Sequence, residues 1–515
     1  MKLQEWVIVF FVTLINSENV SSYKILGLFP YNGGSHITVF KSVMKGLARR
    51  GHTVHVVSHY PLETPLDNYT DLSILGSLPL PNNQMPFQAF DYASYDVFNL
   101  LGTVILYFKI DEHEAVMKTE VIQKLLTSEE RYDLIITESF VTDMTLGFIN
   151  KFRVPFIFLS SCSLPPWTSD FMANPQNPAF VPHFLSHFSP SMTFSERLRN
   201  TFGLVLNVVA WYTFFVPQNQ KIMKTYFGDD TPPLLEIAKN VSLILANSHT
   251  LVTGSRPSAQ TVIEIGGVHI EPPKKLPQDI EDFINNSPNG VIFFCLGSLL
   301  RAATLPVDKR NAFLNAFSQL NERVLWKFED ENPPTTGNVM IKKWMPQRDI
   351  LAHPKVKLFI SHGGLLGTLE AISAGKPILG MPMFGDQPSN IRTLESQGLA
   401  KYLDYQTIDN SSVLEALREI LKPRRRAKQV SEIFHDRPAT PMETAVFWIE
   451  HVIRTKGAKH LRSTAIDLSF YQYLQLDVII FSSVCMGVAV FLIYLIFISL
   501  VNRKRESTAN NKKLN

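Results

Sequence analysis

The sequence predicts an α/β protein made of two doubly wound domains with a cleft between them, followed by one apolar helix at the C-terminal end. Three observations carry that prediction. Short apolar runs alternate with amphipathic segments over residues 23–270, the rhythm restarts after a proline-rich linker at 271–290, and residues 478–501 contain no charged side chain. Alternating strands and helices favour parallel sheets covered on both faces. In such sheets ligands bind beyond the carboxyl ends of the strands.

The first domain, 23–270, opens with Tyr23-Lys-Ile-Leu-Gly-Leu-Phe, an apolar run suited to a buried parallel strand. Gly33-Gly34-Ser35 turns the chain into a helix with Val39, Phe40, Val43 and Leu47 on one face. Gly51 ends that helix, and Thr53-Val-His-Val-Val-Ser is the next strand. Asp133-Leu-Ile-Ile-Thr and Val154-Pro-Phe-Ile-Phe-Leu-Ser are two more, with a helical segment between them. From Pro165 to Lys221 the chain is rich in Phe, Trp and Pro, with an apolar run from Leu204 to Val216. Two readings stand for that run: a core helix, or the wall of an apolar ligand pocket that also leans on a membrane surface.

The linker holds Glu271-Pro-Pro-Lys-Lys-Leu-Pro and Asn285-Asn-Ser-Pro-Asn-Gly. The second domain, 291–455, then starts with the strand Val291-Ile-Phe-Phe-Cys-Leu running into Gly297-Ser298. Further strands are expected at Val324-Leu-Trp-Lys-Phe and Val339-Met-Ile-Lys-Lys-Trp. Val356-Lys-Leu-Phe-Ile-Ser ends in His362-Gly363-Gly364 ahead of a helix from Leu365 to Ala374, and Lys376-Pro-Ile-Leu-Gly-Met-Pro is the last expected strand.

The two ends speak to location. Lys2 precedes the apolar run from Trp6 to Ile15, too short to cross a bilayer, and small polar residues follow, so 1–22 reads as a signal peptide. Residues 478–501 are long enough to span, and Arg503-Lys504-Arg505 mark the cytosolic side. Lys456, Lys459 and Arg462 in the juxtamembrane segment 456–477 dilute that charge signal, and the signal peptide fixes the orientation: a lumenal body, one span, and a cytosolic tail at 502–515. The tail ends Lys512-Lys513-Leu514-Asn515, which resembles a dilysine address for the endoplasmic reticulum. Cys162, Cys295 and Cys485 make neither a disulfide framework nor a zinc site. Sequons at Asn68, Asn240, Asn285 and Asn410 fit a lumenal body. A net charge of +3 over 515 residues argues against a nucleic-acid partner; a second copy of the chain is left open as a partner.

Chemistry concentrates between Trp344 and Gln387. Gly363-Gly364, where a strand meets a helix, offers backbone N–H groups and the helix dipole to an anion such as a pyrophosphate. His362 stands beside that turn. Gly367 and Glu370 share a helix face, so a phosphate and a ribose contact can line up, and Trp344 offers a flat face for a nucleobase. At the other end of the body, His36 opens a helix after a Gly-Gly turn, a place that disfavours imidazolium and leaves a base able to take a proton. No Gly-x-Gly-x-x-Gly follows the first strand, which argues against an oxidoreductase.

Taken together, Trp344-Met-Pro-Gln-Arg-Asp-Ile-Leu-Ala-His-Pro, Phe359-Ile-Ser-His-Gly-Gly, Glu370-Ala, Gly375-Lys-Pro-Ile and Met381-Pro-Met-Phe-Gly-Asp-Gln resemble the signature of UDP-glycosyltransferases. These family-one enzymes of GT-B fold, two Rossmann-like domains around a cleft, include animal UDP-glucuronosyltransferases. The chain looks most like the invertebrate UDP-glucosyltransferases, from Gly34-Ser-His36 through Asn247-Ser-His and Arg256-Pro to the span. The resemblance implies that Trp344 and Gln347 hold uracil and Glu370 the ribose. It implies that Ser298, His362, Gly363, Gly364 and Gly367 cradle the diphosphate, and that Asp386 and Gln387 read the sugar. One departure is Leu366, where relatives carry Asn or His.

It further implies that His36 is the general base toward an acceptor hydroxyl, with an acidic residue orienting it. Glu138 stands where vertebrate and plant members carry Asp, whereas Asp143 matches invertebrate relatives, and the sequence reading favours Asp143 narrowly. The implied reaction is an inverting transfer of a hexose, glucose before glucuronate, from a UDP-sugar to a small lipophilic acceptor. The UDP-sugar is a co-substrate; no metal and no other cofactor is expected. A non-catalytic lipophile carrier of the same fold is the rival, for which Leu366 speaks slightly.

Overall fold

The structure is a computed structural model, and it describes residues 22–90, 110–140, 142–330, 336–422 and 426–513. Residues 1–21 of the expected signal peptide, the side chains of Lys512 and Lys513, and the last two residues lie outside it. Two compact units result, one ending at Arg462 and one starting at Ser463.

The larger unit contains two all-parallel sheets. The first has seven strands: β1 (Lys24–Leu28), β2 (Thr53–Ser58), β3 (Tyr69–Ser73), β4 (Leu134–Thr137), β5 (Phe156–Ser160), β6 (Leu243–Ala246) and β7 (Val262–Glu264), in the order β3-β2-β1-β4-β5-β6-β7. The second has six: β8 (Val291–Cys295), β9 (Arg323–Lys327), β10 (Val339–Lys342), β11 (Val356–Ser361), β12 (Ile378–Gly380) and β13 (Ala400–Tyr402), in the order β10-β9-β8-β11-β12-β13. The central strands are buried along their length, as two-sided parallel sheets require. In both sheets the order reverses beside the first strand, and register decides what emerges there. Leu28 lies opposite both Val57 and Thr137, so the loops after β1 and β4 leave the sheet at one level. Ser361 pairs with Cys295 and Gly380, which does the same for the loops after β8, β11 and β12.

Helix α1 (Gly34–Arg49) lays Ile37, Val39, Phe40, Val43, Met44 and Leu47 on the first sheet. The region left with two readings is a helix, α2 (Phe194–Ala210), a π-helical turn at Trp211–Phe215, and α3 (Val216–Phe227). It is not an ordinary core helix. The face of α2 turned inward is small or polar, Asn200, Gly203, Asn207 and Ala210, while Phe194, Leu198, Phe202, Val205 and Val209 point to solvent. Asn200 explains the inversion: its side chain accepts from the His183 N–H at 2.7 Å and donates to the carbonyls of Pro178 and Val181, both at 2.8 Å. Beyond Ala210 the packing becomes apolar, with Trp211 stacked on Trp167 at 4.0 Å.

In the second domain α4 (Gln347–Ala352), α5 (Leu365–Ser373) and α6 (Gln387–Ser396) follow β10, β11 and β12. The stretch just before residue 455 packs on the first domain. Helix α7 (Pro441–Arg454), started by a Thr440–Glu443 capping box, packs Ala445, Ile449 and Val452 into the apolar cluster under α1. Its Glu450 meets His52 at 3.2 Å and Arg50 at 3.3 Å. The last stretch of the second domain thus completes the core of the first. The reverse crossing occurs at Phe87, which is fully buried in the second domain's core and stacks on Tyr405.

In the smaller unit α8 (Leu476–Lys513) covers the expected span. It is long and apolar enough to cross a membrane, and its Ile, Phe and Val side chains are exposed along its length. Residues 194–227 pass the same test of length and composition, although part of that stretch is packed in the body.

Candidate active site

His36 lies in the first turn of α1, where Gly33 provides no side-chain cap. Its Nδ1 meets Glu138 Oε1 at 2.8 Å, and Glu138 also accepts from Ser161 Oγ at 3.2 Å. An ionised carboxylate only accepts, so the ring proton sits on Nδ1 and Nε2 is left as the base. Tyr31 and Phe140 pack edge-on and tilted against the ring, with centroids 4.8 and 4.6 Å away. The favoured partner, Asp143, does not reach His36. Its N–H is bonded to Asn219 Oδ1 at 3.0 Å, the carboxylate is buried, and neither oxygen has a well-formed hydrogen bond among the described residues. The physical reason is place in the chain: Glu138 directly follows the last residue of β4, whereas Asp143 lies six residues beyond it and precedes the 3-10 turn Met144–Leu146.

Burial pushes the Asp143 carboxyl up to about 7, against a weaker pull from the Ser139 hydroxyl. A raised folded-state pKa means the native state binds the extra proton, so this group's stabilising contribution is full below about pH 4 and is lost as pH rises through about 7. Asp143→Asn should therefore raise the melting temperature at pH 7–8 and leave it unchanged near pH 4. Thermal melts at the two pH values check this; equal melting temperatures at pH 8 would contradict it.

On the other side of the cleft the predicted donor residues come together. Gln347 Nε2 donates to Glu370 Oε2 at 2.7 Å, so α4 and α5 hold these two side chains against each other. Burial raises the Glu370 pKa, offset in part by that hydrogen bond and by Arg348. Trp344 presents its face at 69% exposure. His362 is enclosed, with Nδ1 lacking a partner among the described residues, and burial lowers its pKa to about 4 with help from Lys327. It therefore acts as a neutral hydrogen-bonding group, not a cation. Two glycines admit the ring: a Cβ at Gly297 would fall 2.5 Å from it, and one at Gly364 2.6 Å. Gly363 takes a φ of +82° that L side chains rarely adopt. Since Gly364 caps α5 with no side chain, the first N–H groups of that helix stay open to an anion. Gly367 leaves room for Gln347, whose Nε2 would be 3.0 Å from a Cβ there.

Asp386 caps α6 and is enclosed, its pKa raised by burial and drawn back by Asn390 and by His36 across the cleft. Gln387 is partly committed: its Oε1 accepts from the N–H groups of Met383 and Phe384 at 2.9 and 3.2 Å, leaving its amide N–H groups for a ligand. Leu366 packs on the apolar cluster of the first domain, so its contact is across the cleft.

The sequence reading missed three groups. Lys327 is buried beneath the Gly297–Ser298 turn and donates to Gly297 O at 2.9 Å. His269, lowered to about 4 by burial, lies 3.9 Å from Glu370. Burial holds the Cys162 thiol far above its usual range, helped by Asp386 and then Glu138 nearby. A lysine at a strand's end is a readable signal in hindsight; the other two have no local signature.

The family model described as "UDP-glucoronosyl and UDP-glucosyl transferase" matches residues 24–510. "UDP-glycosyltransferase UGT5" of Dactylopius coccus is 42% identical over 498 residues, covering 94% of each chain. "UDP-glucosyltransferase 2" of the same organism is 35% identical over 99% of each. The crystal structure described as LpCGTa in complex with UDP superposes over 84% of this chain and 100% of its own with a TM-score of 0.51, at 16% identity, a likeness of fold.

Proposed function

Since the chain belongs to the UDP-glucuronosyl and UDP-glucosyl transferase family and is a glycosyltransferase, we propose that it moves a hexose, glucose in preference to glucuronate, from a UDP-sugar to a hydroxyl of a small lipophilic acceptor. The observation that carries this reading is the 2.8 Å contact between His36 Nδ1 and Glu138 Oε1, which leaves Nε2 free to act as a base. His36 Nε2 takes the acceptor proton while the acceptor oxygen bonds to the anomeric carbon. The bond from that carbon to the diphosphate breaks, and its electron pair leaves with UDP. Glu138 stabilises the imidazolium; the amides opening α5, His362 and Ser298 stabilise the departing diphosphate. One displacement turns an α-linked donor into a β-glycoside. Glucose is preferred here on the likeness to a relative named as a glucosyltransferase. The reading needs no metal ion, so a chelator should leave turnover intact.

The apolar span of α8 supports a membrane protein, whose body this reading places in the lumen of the endoplasmic reticulum. One preparation tests both parts. Microsomes from expressing cells, given phenols and a panel of UDP-sugars, should form β-glucosides fastest with UDP-glucose, and protease should reach the body only after permeabilisation. Faster turnover with UDP-glucuronate would reverse the donor assignment. UDP binding without transfer to any acceptor would favour a carrier.

A further inference from the structure

Between β3 and the first 3-10 turn of the chain, the segment 81–88 leaves the first domain and docks on the second. The Asn83 N–H donates to Ser298 O at 2.7 Å, the Met85 N–H to Leu299 O at 3.2 Å, and the Arg301 N–H returns a bond to Met85 O at 3.0 Å. Met85 and Leu300 form a parallel bridge, and the Phe87 N–H donates to Thr304 Oγ1 at 3.0 Å. The segment therefore behaves as an extra short strand along the phosphate loop, anchored by the buried ring of Phe87.

Two adjacent side chains on it point to the two halves of the reaction. Asn83 sits at a φ of +50°, and its Oδ1 accepts from Lys327 Nζ at 2.9 Å. Lys327 donates in turn to Gly297 O, so Asn83 holds both residues of the Gly297–Ser298 turn, one by backbone and one through the lysine. Asn82 faces the other way. Its Oδ1 makes no well-formed hydrogen bond among the described residues but packs against the first residue of α1, two before His36, lying 2.8 Å from where a Cβ of Gly34 would be. The Tyr60 hydroxyl, which donates to Asn32 O at 2.8 Å, is beside it. Asn32 Nδ2 donates to Pro79 O at 2.6 Å, tying the turn before α1 to the start of the same segment.

We propose that Asn82 and Asn83 are positioning residues that hold the loop of the base and the loop of the diphosphate in register across the cleft. The inference rests on the transferase reading above. The acceptor oxygen is placed by one domain and the anomeric carbon by the other, so their approach depends on what crosses between the domains. Reacting atoms must come within about 3–3.5 Å, and a 1 Å misplacement costs about a hundredfold. A dipeptide that touches both loops sets that distance more directly than the linker does. Asparagine suits position 83 because it tolerates the left-handed backbone and offers an acceptor to a buried cation.

Asn82→Ala and Asn83→Gly test this in full-length enzyme in microsomes. Glycine at 83 keeps the backbone conformation and the bond to Ser298 while removing the contact to Lys327. Each should lower kcat by about ten- to a hundredfold, with the pH profile of kcat unmoved and UDP affinity, read by competition, within about threefold of wild type. The double variant should fall no further than the worse single one, since both act on one register. Loss of UDP affinity in step with kcat would overturn the proposal in favour of a local role in the donor site. Unchanged kcat, or losses that multiply in the double variant, would also overturn it. Wild-type turnover is measured first: its absence strikes the transferase reading, whereas an active wild type with active variants strikes only this inference.

Discussion

Replacing His36 with alanine should lower kcat for transfer to a phenol by about 10²–10⁴-fold, the usual contribution of a positioned general base. UDP affinity should hold, because the groups assigned to UDP lie on the second sheet and His36 opens α1 on the first. The loss should appear equally in kcat and kcat/KM, as expected for an interaction made only in the transition state. Glu138→Gln should be the next most damaging change, at about a hundredfold or more. A neutral amide cannot stabilise the imidazolium. Its NH2 can also donate to Nδ1, which would move the ring proton to Nε2 and leave no base facing the acceptor. Asp143→Asn should leave kcat within about threefold, since it makes no contact with His36. Rates for the three variants beside UDP competition decide the matter. Near-normal turnover of His36→Ala would remove the base. A larger loss from Asp143→Asn than from Glu138→Gln would restore the partner that the sequence favoured.

Glu370→Ala should raise the donor KM by about ten- to a hundredfold, corresponding to about 1.5–3 kcal/mol for a charged hydrogen bond lost in a buried site. The acceptor KM should stay near wild type. The substitution also frees Gln347, whose amide now donates to Glu370, so the loss reflects a pair and not one side chain. Burial raises the Glu370 pKa, and ribose hydroxyls need the ionised form as acceptor. Wild-type donor affinity should then weaken as pH falls through that raised pKa, while the alanine variant stays flat over the same range. A donor KM unaffected by the substitution would take Glu370 out of the site.

All the candidate donor residues but Ser298 lie within one stretch, Trp344 to Gln387, and the β11–α5 turn announces itself by two glycines. The partner of His36 was not legible in this way. Glu138 and Asp143 are five residues apart beyond the same strand, and only the contact of His36 Nδ1 with Glu138 Oε1 tells which carboxylate meets the ring. Strand β3, Tyr-Thr-Asp-Leu-Ser, escaped notice because an edge strand is polar on its open side. Strands β6, β7 and β13, of three or four residues each, were not read from the sequence either. The apolar run from Leu204 to Val216 kept two readings because hydropathy alone carries no sign for direction: Val205, Val209 and Phe214 turn outward, while Trp211 and Phe215 are buried.

The two crossings of the domain boundary set the terms on which this protein can be recombined. A chimera joined at 271–290 would give the second domain a foreign Phe87 segment and the first a foreign α7, so each half would have to accept another protein's plug in its own core. Exchanges of specificity between relatives should therefore carry 81–88 with the second domain and 441–454 with the first. A cut that respects packing and not chain order would leave at least four joints instead of one.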